Sequence, residues 1–248
     1  MHYFFGRVDI ENNLAYLERE EAHHCAVVLR LNSGEQIGIL NTDGKIYLAQ
    51  LISVHKKECV GKIFQVKEIP VPQHKVHLVI APPKNNERLE WLIEKSVELQ
   101  VWSLHFVLSE RCIRKSLNIE RLKKIRDAAA KQSANPYLPE IFEYKSLNSF
   151  IQHYTTDFTY SNKHLHLILH CYESEKVNLD LALLQKIKNE GYSDIFAYIG
   201  PEGDWTIKEI EIMKEKFNPF LEVSLGTIRL RTETAALNVA SVIKSLNF

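Results

Sequence analysis

The stretches IGPEGDW at residues 199–205 and LGTIRLRTETAALN at residues 225–238 decide how this chain is read. IFAYI (195–199) leads into the first and has the apolar, β-branched and aromatic content of a strand. GPEGDW is a tight loop of glycine and proline, and Thr206 with Glu209 has capping-box spacing. A helix is therefore predicted after it, with Ile207, Ile210, Met213 and Phe217 turned inward, stopped by Asn218-Pro219. LEVSL (221–225) is then a short strand, 226–231 a loop, and 233–246 a terminal helix with Ala236, Val239, Ala240 and Ile243 on one stripe. Two strand–loop–helix passages in succession specify an α/β domain with a mainly parallel sheet. Such sheets bind ligands at the carboxyl ends of their strands.

The same rhythm extends upstream. VHLVIAP (76–82) and SLHFVLS (103–109) are predicted strands, with a helix over 87–100 between them whose Leu89, Leu92, Ile93 and Val97 share a face. A basic helix over 119–133 follows, then a link through Pro136 and Pro139, a polar stretch, and the apolar run HLHLILHC (164–171). The first 69 residues differ in pattern. QIGIL, KIYLAQLIS and CVGKIFQV are short β-like runs with Asp43-Gly44 between two of them, a hairpin signal. EREEAHHCAVVLRL places Ala22, Cys25, Ala26 and Leu29 at helical spacing before Asn32-Ser33-Gly34. A small β-barrel with one helix is predicted there. Pro70-Val71-Pro72 stiffens the chain and cannot sit inside a sheet, so it marks the boundary between domains 1–70 and 71–248.

Lysine plus arginine equals aspartate plus glutamate at 31 each, so no global positive field draws this chain to nucleic acid. Charge is asymmetric locally. Residues 110–131 hold Arg111, Arg114, Lys115, Arg121, Lys123, Lys124, Arg126 and Lys131 against Glu110, Glu120 and Asp127, which reads either as a basic patch or as a solvated helix face. Cys25, Cys59, Cys112 and Cys171 are scattered singly, without the spacing of a metal or redox motif. The run of apolar residues needed to span a membrane and the features of a secretory signal are both missing, so a soluble cytoplasmic protein is expected.

Gly200, Gly203 and Gly226 let a ligand approach the backbone closely, although glycines in these places also serve tight turns. GxGxxG and GxxxxGK are absent, so neither dinucleotide nor P-loop chemistry is indicated. Glu202 sits in one loop and Arg229, Arg231 and Glu233 in or beside the other, a charge density that would be costly unpaired in apolar surroundings. An Arg231–Glu233 pair fastening the last helix is an alternative reading of the same residues. His164, His166 and His170 alternate with leucines as half-buried strand residues do, and without a carboxylate or cysteine at ligand spacing no metal is expected. Trp91 and Trp102 read as core or interface anchors.

Several stretches in order carry a resemblance. APPKNNERLEWLIEKSVELQV (81–101), LSERCIRK (108–115), IRDAAAKQSANPYLPEI (125–141), IGPEGDWTIKEIE (199–211) and LGTIRLRTETAALNVA (225–240) resemble the bacterial 16S ribosomal RNA uridine-N3 methyltransferases of the SPOUT superfamily. LRLNSGE (29–35) with the following Asp-Gly resembles their PUA-like amino-terminal RNA-binding domain. The resemblance spans nearly the whole chain and is thinnest between Tyr144 and Asp194. It implies a trefoil-knotted α/β methyltransferase domain behind a small PUA-like β-barrel, acting as a homodimer. Leu169, Ile199, Gly200, Gly203, Leu225, Gly226 and Leu230, with Pro201, Glu202, Thr234 and Ala235, would then bind S-adenosylmethionine. Arg231 would stabilise charge on the uracil, and Glu202 or Glu233 would take the N3 proton. The implied partner is 16S RNA in the small ribosomal subunit, for which Arg7, His23, His24, Arg30, Arg111, Arg114 and Lys131 are candidate contacts, His23 and His24 reading otherwise as a pair on a helix surface. Another RNA nucleoside or a 2′-hydroxyl as target, or a non-catalytic RNA-binding role, are the competing readings.

The chain departs from the family's usual pattern at Asp204-Trp205, where glycine and phenylalanine are common, at Thr227 for proline, and at Gln100 for a glycine ending a helix. Asp204 is expected to crowd its loop, and Trp205 to keep an aromatic wall there.

Overall fold

A computed structural model describes residues 1–157 and 163–247. The chain falls into two compact units, residues 1–71 with 127–138, and residues 72–126 with 139–248.

The first unit contains β1 (His2–Phe5), β2 (Arg7–Asp9), β3 (Leu14–Glu18), α1 (Arg19–His23) running into a π-helical turn (His24–Val28), β4 (Gln36–Leu40), β5 (Lys45–Val54) and β6 (Glu58–Glu68). Its sheet has the order β1-β4-β5-β6-β3-β2. β1 and β2 lie at opposite edges of that order, yet only Gly6 separates them in sequence. The sheet must therefore curl until its edges meet. Gly6 is the hinge of that closure, since a Cβ there would stand 2.8 Å from Tyr16 O. Inside the curl Phe4, Leu17, Ile37, Ile39, Tyr47 and Leu51 pack on Ala22 and Cys25. Asp43-Gly44 joins the antiparallel β4 and β5, with Gly44 at φ 80°. Residues 127–138 supply this unit with Lys131, which reaches Glu21 at 2.6 Å, and Tyr137, whose hydroxyl donates to Ile69 O at 2.6 Å.

The second unit contains β7 (Lys75–Ile80), α2 (Asn86–Glu98), β8 (Ser103–Val107), α3 (Ile119–Ser133, its last turns in the first unit), β9 (Glu140–Tyr144), α4 (Leu147–Asp157), β10 (His164–Leu169), β11 (Val177–Asn178), α5 (Leu181–Glu190), β12 (Asp194–Ile199), α6 (Ile207–Lys216), β13 (Phe220–Ser224) and α7 (Thr232–Lys244). The sheet runs β11-β13-β10-β12-β7-β8-β9 with every recorded pairing parallel. α2, α5 and α7 bury leucine, isoleucine and alanine against one face. α4 and α6 bury an aromatic cluster against the other.

Covering both faces explains a correction. The alternation in HLHLIL predicts a half-buried strand, but β10 is buried at every position because helices pack on both sides of it. His164 and His166 consequently live in the core. A second correction concerns α6, where Ile207 is 59% exposed and Glu209 is buried instead. The capping box sets the helix phase: Glu209 Oε2 accepts from Thr206 N at 2.8 Å, while its Oε1 accepts from Glu110 N at 3.1 Å. The polar stretch before HLHLILHC holds β9 and α4, and the residues between HLHLILHC and β12, for which no element is predicted, hold β11 and α5. Trp91 is 45% exposed.

Candidate active site

Three loops leave the carboxyl ends of neighbouring strands β13, β10 and β12, and together they enclose a cavity of about 700 Å³. Leu169 to Tyr172 follow β10, Ile199 to Asp204 follow β12, and Val223 to Thr232 follow β13, with Ala235 from α7 and Arg111 from the segment after β8 completing the wall. The volume lies within the range of small-ligand sites, about 300–1,000 Å³.

The loops are shaped by backbone constraints visible in the residues. Asp204 N donates to Pro201 O at 2.8 Å, closing a tight turn, and a Cβ on Gly200 would stand 2.8 Å from Trp205 N. Only glycine fits at 200. Gly226 has φ 113°, a conformation closed to most L residues. Thr232 Oγ1 donates to the Gly200 carbonyl at 2.9 Å, tying the third loop to the second. Below the first loop, Glu222 accepts from His170 Nε2 at 2.6 Å, Lys214 at 2.6 Å and Ser174 Oγ at 3.1 Å. Burial pushes the Glu222 carboxyl up, but its hydrogen bonds to Lys214, His170 and Ser174 outweigh that and hold it below the ordinary value. Lys176 donates to the carbonyls of His170 and Tyr172 and fixes the same loop.

The residues expected at a cofactor site gather here with one exception. Leu169, Ile199, Gly200, Pro201, Glu202, Gly203, Leu225, Gly226, Leu230 and Ala235 all line the cavity, and Thr234 does not. Of the three groups expected to do chemistry, Glu202 and Arg231 line it. Glu233 does not: it is buried, and its Oε1 lies 3.6 Å from Arg88 Nε of α2. The alternative pairing of Arg231 with Glu233 is thus replaced by Arg88 with Glu233. Arg229, Arg231 and Glu202 have no side-chain partner among the described residues, so the cavity mouth presents two free guanidinium groups and a free carboxylate.

Three basic residues expected at RNA have internal work. Arg111 Nη1 donates to Tyr172 Oη at 2.7 Å and Gly203 O at 2.9 Å, clasping two cavity loops. Arg114 donates to Pro83 O at 2.9 Å and Lys84 O at 2.7 Å. Lys131 is paired with Glu21. Arg7 lies 4.1 Å over the Tyr16 ring, and His23, His24 and Arg30 are exposed on the π-helical turn and the residues beside it. Asp204 does not crowd its loop. It takes φ 64°, and Trp205 is fully buried among Val79, Tyr198, Ile210 and Met213 rather than forming a wall of the cavity.

Sequence reasoning missed Tyr172, Lys176 and Thr232. Their roles depend on backbone acceptors in distant loops, which no local pattern announces.

At the other end of the sheet lies a line of reactive-looking groups. Asp194 Oδ1 meets His77 Nε2 at 3.0 Å, His77 Nδ1 meets Ser103 Oγ at 2.6 Å, and the chain continues to His105 Nε2 at 2.7 Å. Ser103 is buried between two imidazoles, so it cannot meet a substrate. His164 and His166 share Tyr154 Oη at 2.9 and 3.2 Å. Burial drives His77, His105 and His164 below the ordinary histidine value and His166 to about 3, so these rings are neutral core residues. Among the described residues no cluster could hold a metal ion, and no helix is long and apolar enough to cross a membrane.

Comparison with known proteins agrees with this geometry. Residues 70–244 match the family model for an RNA methyltransferase domain, and residues 17–64 the model for an RNA methyltransferase PUA domain. The ribosomal RNA small subunit methyltransferase E of Aquifex aeolicus is 28% identical, covering 100% of both chains. That of Rickettsia conorii is 27% identical over 98% of this chain and 96% of its own. A probable rRNA-methyltransferase from Porphyromonas gingivalis superposes with a TM-score of 0.79 at 28% identity, covering 100% of this chain and 98% of that one. A putative methyltransferase from Legionella pneumophila, solved with bound SAM, gives 0.76 at 28% identity over 98% and 96%. With its parallel α/β unit of the SPOUT type and its curled PUA-like sheet, this chain belongs to the RNA methyltransferase family.

Proposed function

We propose that this protein methylates N3 of a uridine in 16S ribosomal RNA, within the small ribosomal subunit, using S-adenosylmethionine, and that it acts as a homodimer in the cytoplasm. The single observation that carries the reading is the cavity at the carboxyl strand ends, where glycine-lined backbone meets Arg231 and Glu202, which have no side-chain partner among the described residues. The residues fit the cofactor. Gly200 permits the tight turn that brings its backbone to the cavity, since a Cβ would stand 2.8 Å from Trp205 N, and Gly226 leaves its backbone open beside Leu225 and Leu230. The relatives named as small-subunit ribosomal RNA methyltransferases, and the Legionella structure that holds SAM, support the same choice.

When bound, S-adenosylmethionine supplies a methyl group on a sulfonium that is open to nucleophilic attack. The protein must align uridine N3 with that methyl and remove the N3 proton, and alignment alone lowers the barrier substantially. Arg231 donates to the uracil O2 or O4, where negative charge grows as N3 loses its proton. Glu202 takes that proton. Of the two carboxylates that line the cavity, Asp204 is engaged by Trp205 N and Cys171 N, which leaves Glu202 for the proton. Glu233 serves by holding the first turn of α7 against Arg88, which positions Arg231 and Thr232.

N3 lies on the Watson–Crick edge, so the target base is unpaired or extruded. Arg7, His24 and Arg30 are the proposed RNA contacts of the first unit. Arg111, Arg114 and Lys131 contribute phosphate contacts only through the donors their internal bonds leave over.

The test is methyl transfer to 16S RNA, offered both as transcript and as assembled small subunit, followed by mass spectrometry of the digested nucleosides. 3-Methyluridine is expected. A 2′-O-methyl nucleoside, another methylated base, or no product at all would overturn the reading.

A further inference from the structure

Asp204 stands at the centre of the loop that follows β12, and neither of its oxygens is idle. Its Oδ1 accepts from Trp205 N at 2.8 Å, within its own turn. Its Oδ2 crosses to the loop after β10 and accepts from Cys171 N at 2.7 Å. The backbone there is left-handed, φ 64°, a conformation that aspartate tolerates better than most L residues because its short side chain bonds locally. The turn is tight, since Gly200 is packed against Trp205 N and Pro201 O holds Asp204 N.

We propose that Asp204 is a latch: by joining the loop after β12 to the loop after β10 through the Cys171 N–H, it holds the cofactor cavity in its binding-competent shape. Thr232 makes the corresponding tie from the third loop to Gly200 O. The two bonds differ in kind. Both residues line the cavity, but Thr232 is buried, whereas the Asp204 bond lies at an exposed position. When the latch is open, Gly200 to Gly203 sample arrangements that do not match the ligand, and apparent affinity falls in proportion to the competent fraction. Asp204 is therefore a positioning residue acting through loop backbone. The inference rests on the reading of this cavity as an S-adenosylmethionine site.

Calorimetric titration of the full chain with S-adenosylmethionine, for the wild type, Asp204→Gly and Asp204→Asn, tests it. Glycine adopts φ 64° without strain but makes neither bond, and binding about tenfold weaker is expected, the equivalent of one charge-assisted hydrogen bond. Asparagine tolerates the same backbone and keeps an amide oxygen for the Cys171 N–H, so it recovers most of the loss. In steady-state assays the defect falls on the cofactor KM rather than on kcat. Glycine-variant affinity within about twofold of wild type, or an asparagine variant no better than glycine, would overturn the latch. Wild-type protein that takes up no S-adenosylmethionine would instead overturn the cofactor reading beneath it, so the two failures are distinguishable.

Discussion

From the amino ends of β12 and β8, Asp194, His77, Ser103 and His105 form one line of hydrogen bonds that ends on Tyr144, the last residue of β9, while at the carboxyl ends of β12 and β13 Arg229, Arg231 and Glu202 stand round a cavity without side-chain partners among the described residues. The amino-end groups have the composition of a nucleophilic triad, and burial lowers the proton affinity of His77 and His105. They are nevertheless sealed by aromatic packing, with His77 stacked on Phe196 at 4.3 Å and His166 on Phe217 at 4.5 Å. The carboxyl-end groups look less remarkable as chemistry, but they can reach a ligand. Perturbed titration follows burial, and function follows access. Shifted pKa values mark active sites only where a cleft adjoins them.

Three measurements distinguish the two ends of the sheet. The largest effect is expected at the open end. Arg231→Ala lowers turnover at saturating cofactor by about 10²–10³, the range for removing a donor aimed at developing charge, while leaving cofactor affinity nearly intact. Wild-type turnover in that variant would return the carboxyl end to a purely structural status. The second effect belongs to the sealed end and to acid. A histidine whose folded pKa is depressed binds fewer protons than its unfolded form, so its contribution is complete above the unfolded value near 6.5 and is lost as pH falls toward the folded value. For His166, with a folded value of about 3, the loss at pH 5 is on the order of 2 kcal/mol from this ring alone. Denaturant melts at pH 7 and pH 5 measure it, and equal stability at the two values would show that the imidazoles are not neutral in the core. The smallest effect separates the two ends most cleanly. Ser103→Ala removes the hydroxyl shared by His77 and His105 and costs about 1–2 kcal/mol of stability without lowering turnover.

The sequence carried the parallel sheet and the two glycine loops, because strand composition, the Thr206–Glu209 capping box and the proline stops are local signals. It also marked most of the cavity, since Gly200, Gly203 and Gly226 with their neighbours sit at strand ends. What stayed hidden depends on distance. Glu233 meets Arg88, Arg111 meets Gly203 and Tyr172, and Asp204 meets Cys171, pairings that link segments far apart in sequence. Burial of β10 on both faces was illegible from its alternating histidines, because hydrogen bonds to Tyr154 and Tyr198 satisfy rings that composition alone places at a surface. Two departures from the usual family pattern become intelligible together. Gln100 at φ 57° and Asp204 at φ 64° occupy left-handed positions where glycine is the usual choice. Thr227, where proline is usual, has no explanation in the structure.

The central claim is that ligand chemistry belongs to the carboxyl end of the sheet. Amide hydrogen exchange of the full chain with and without saturating S-adenosylmethionine tests it most directly. The account predicts new protection in residues 169–176, 199–205 and 225–235, with none added at the amino ends of β7, β8 and β12. Protection absent from those three loops, or appearing instead around His77 and Ser103, would contradict it.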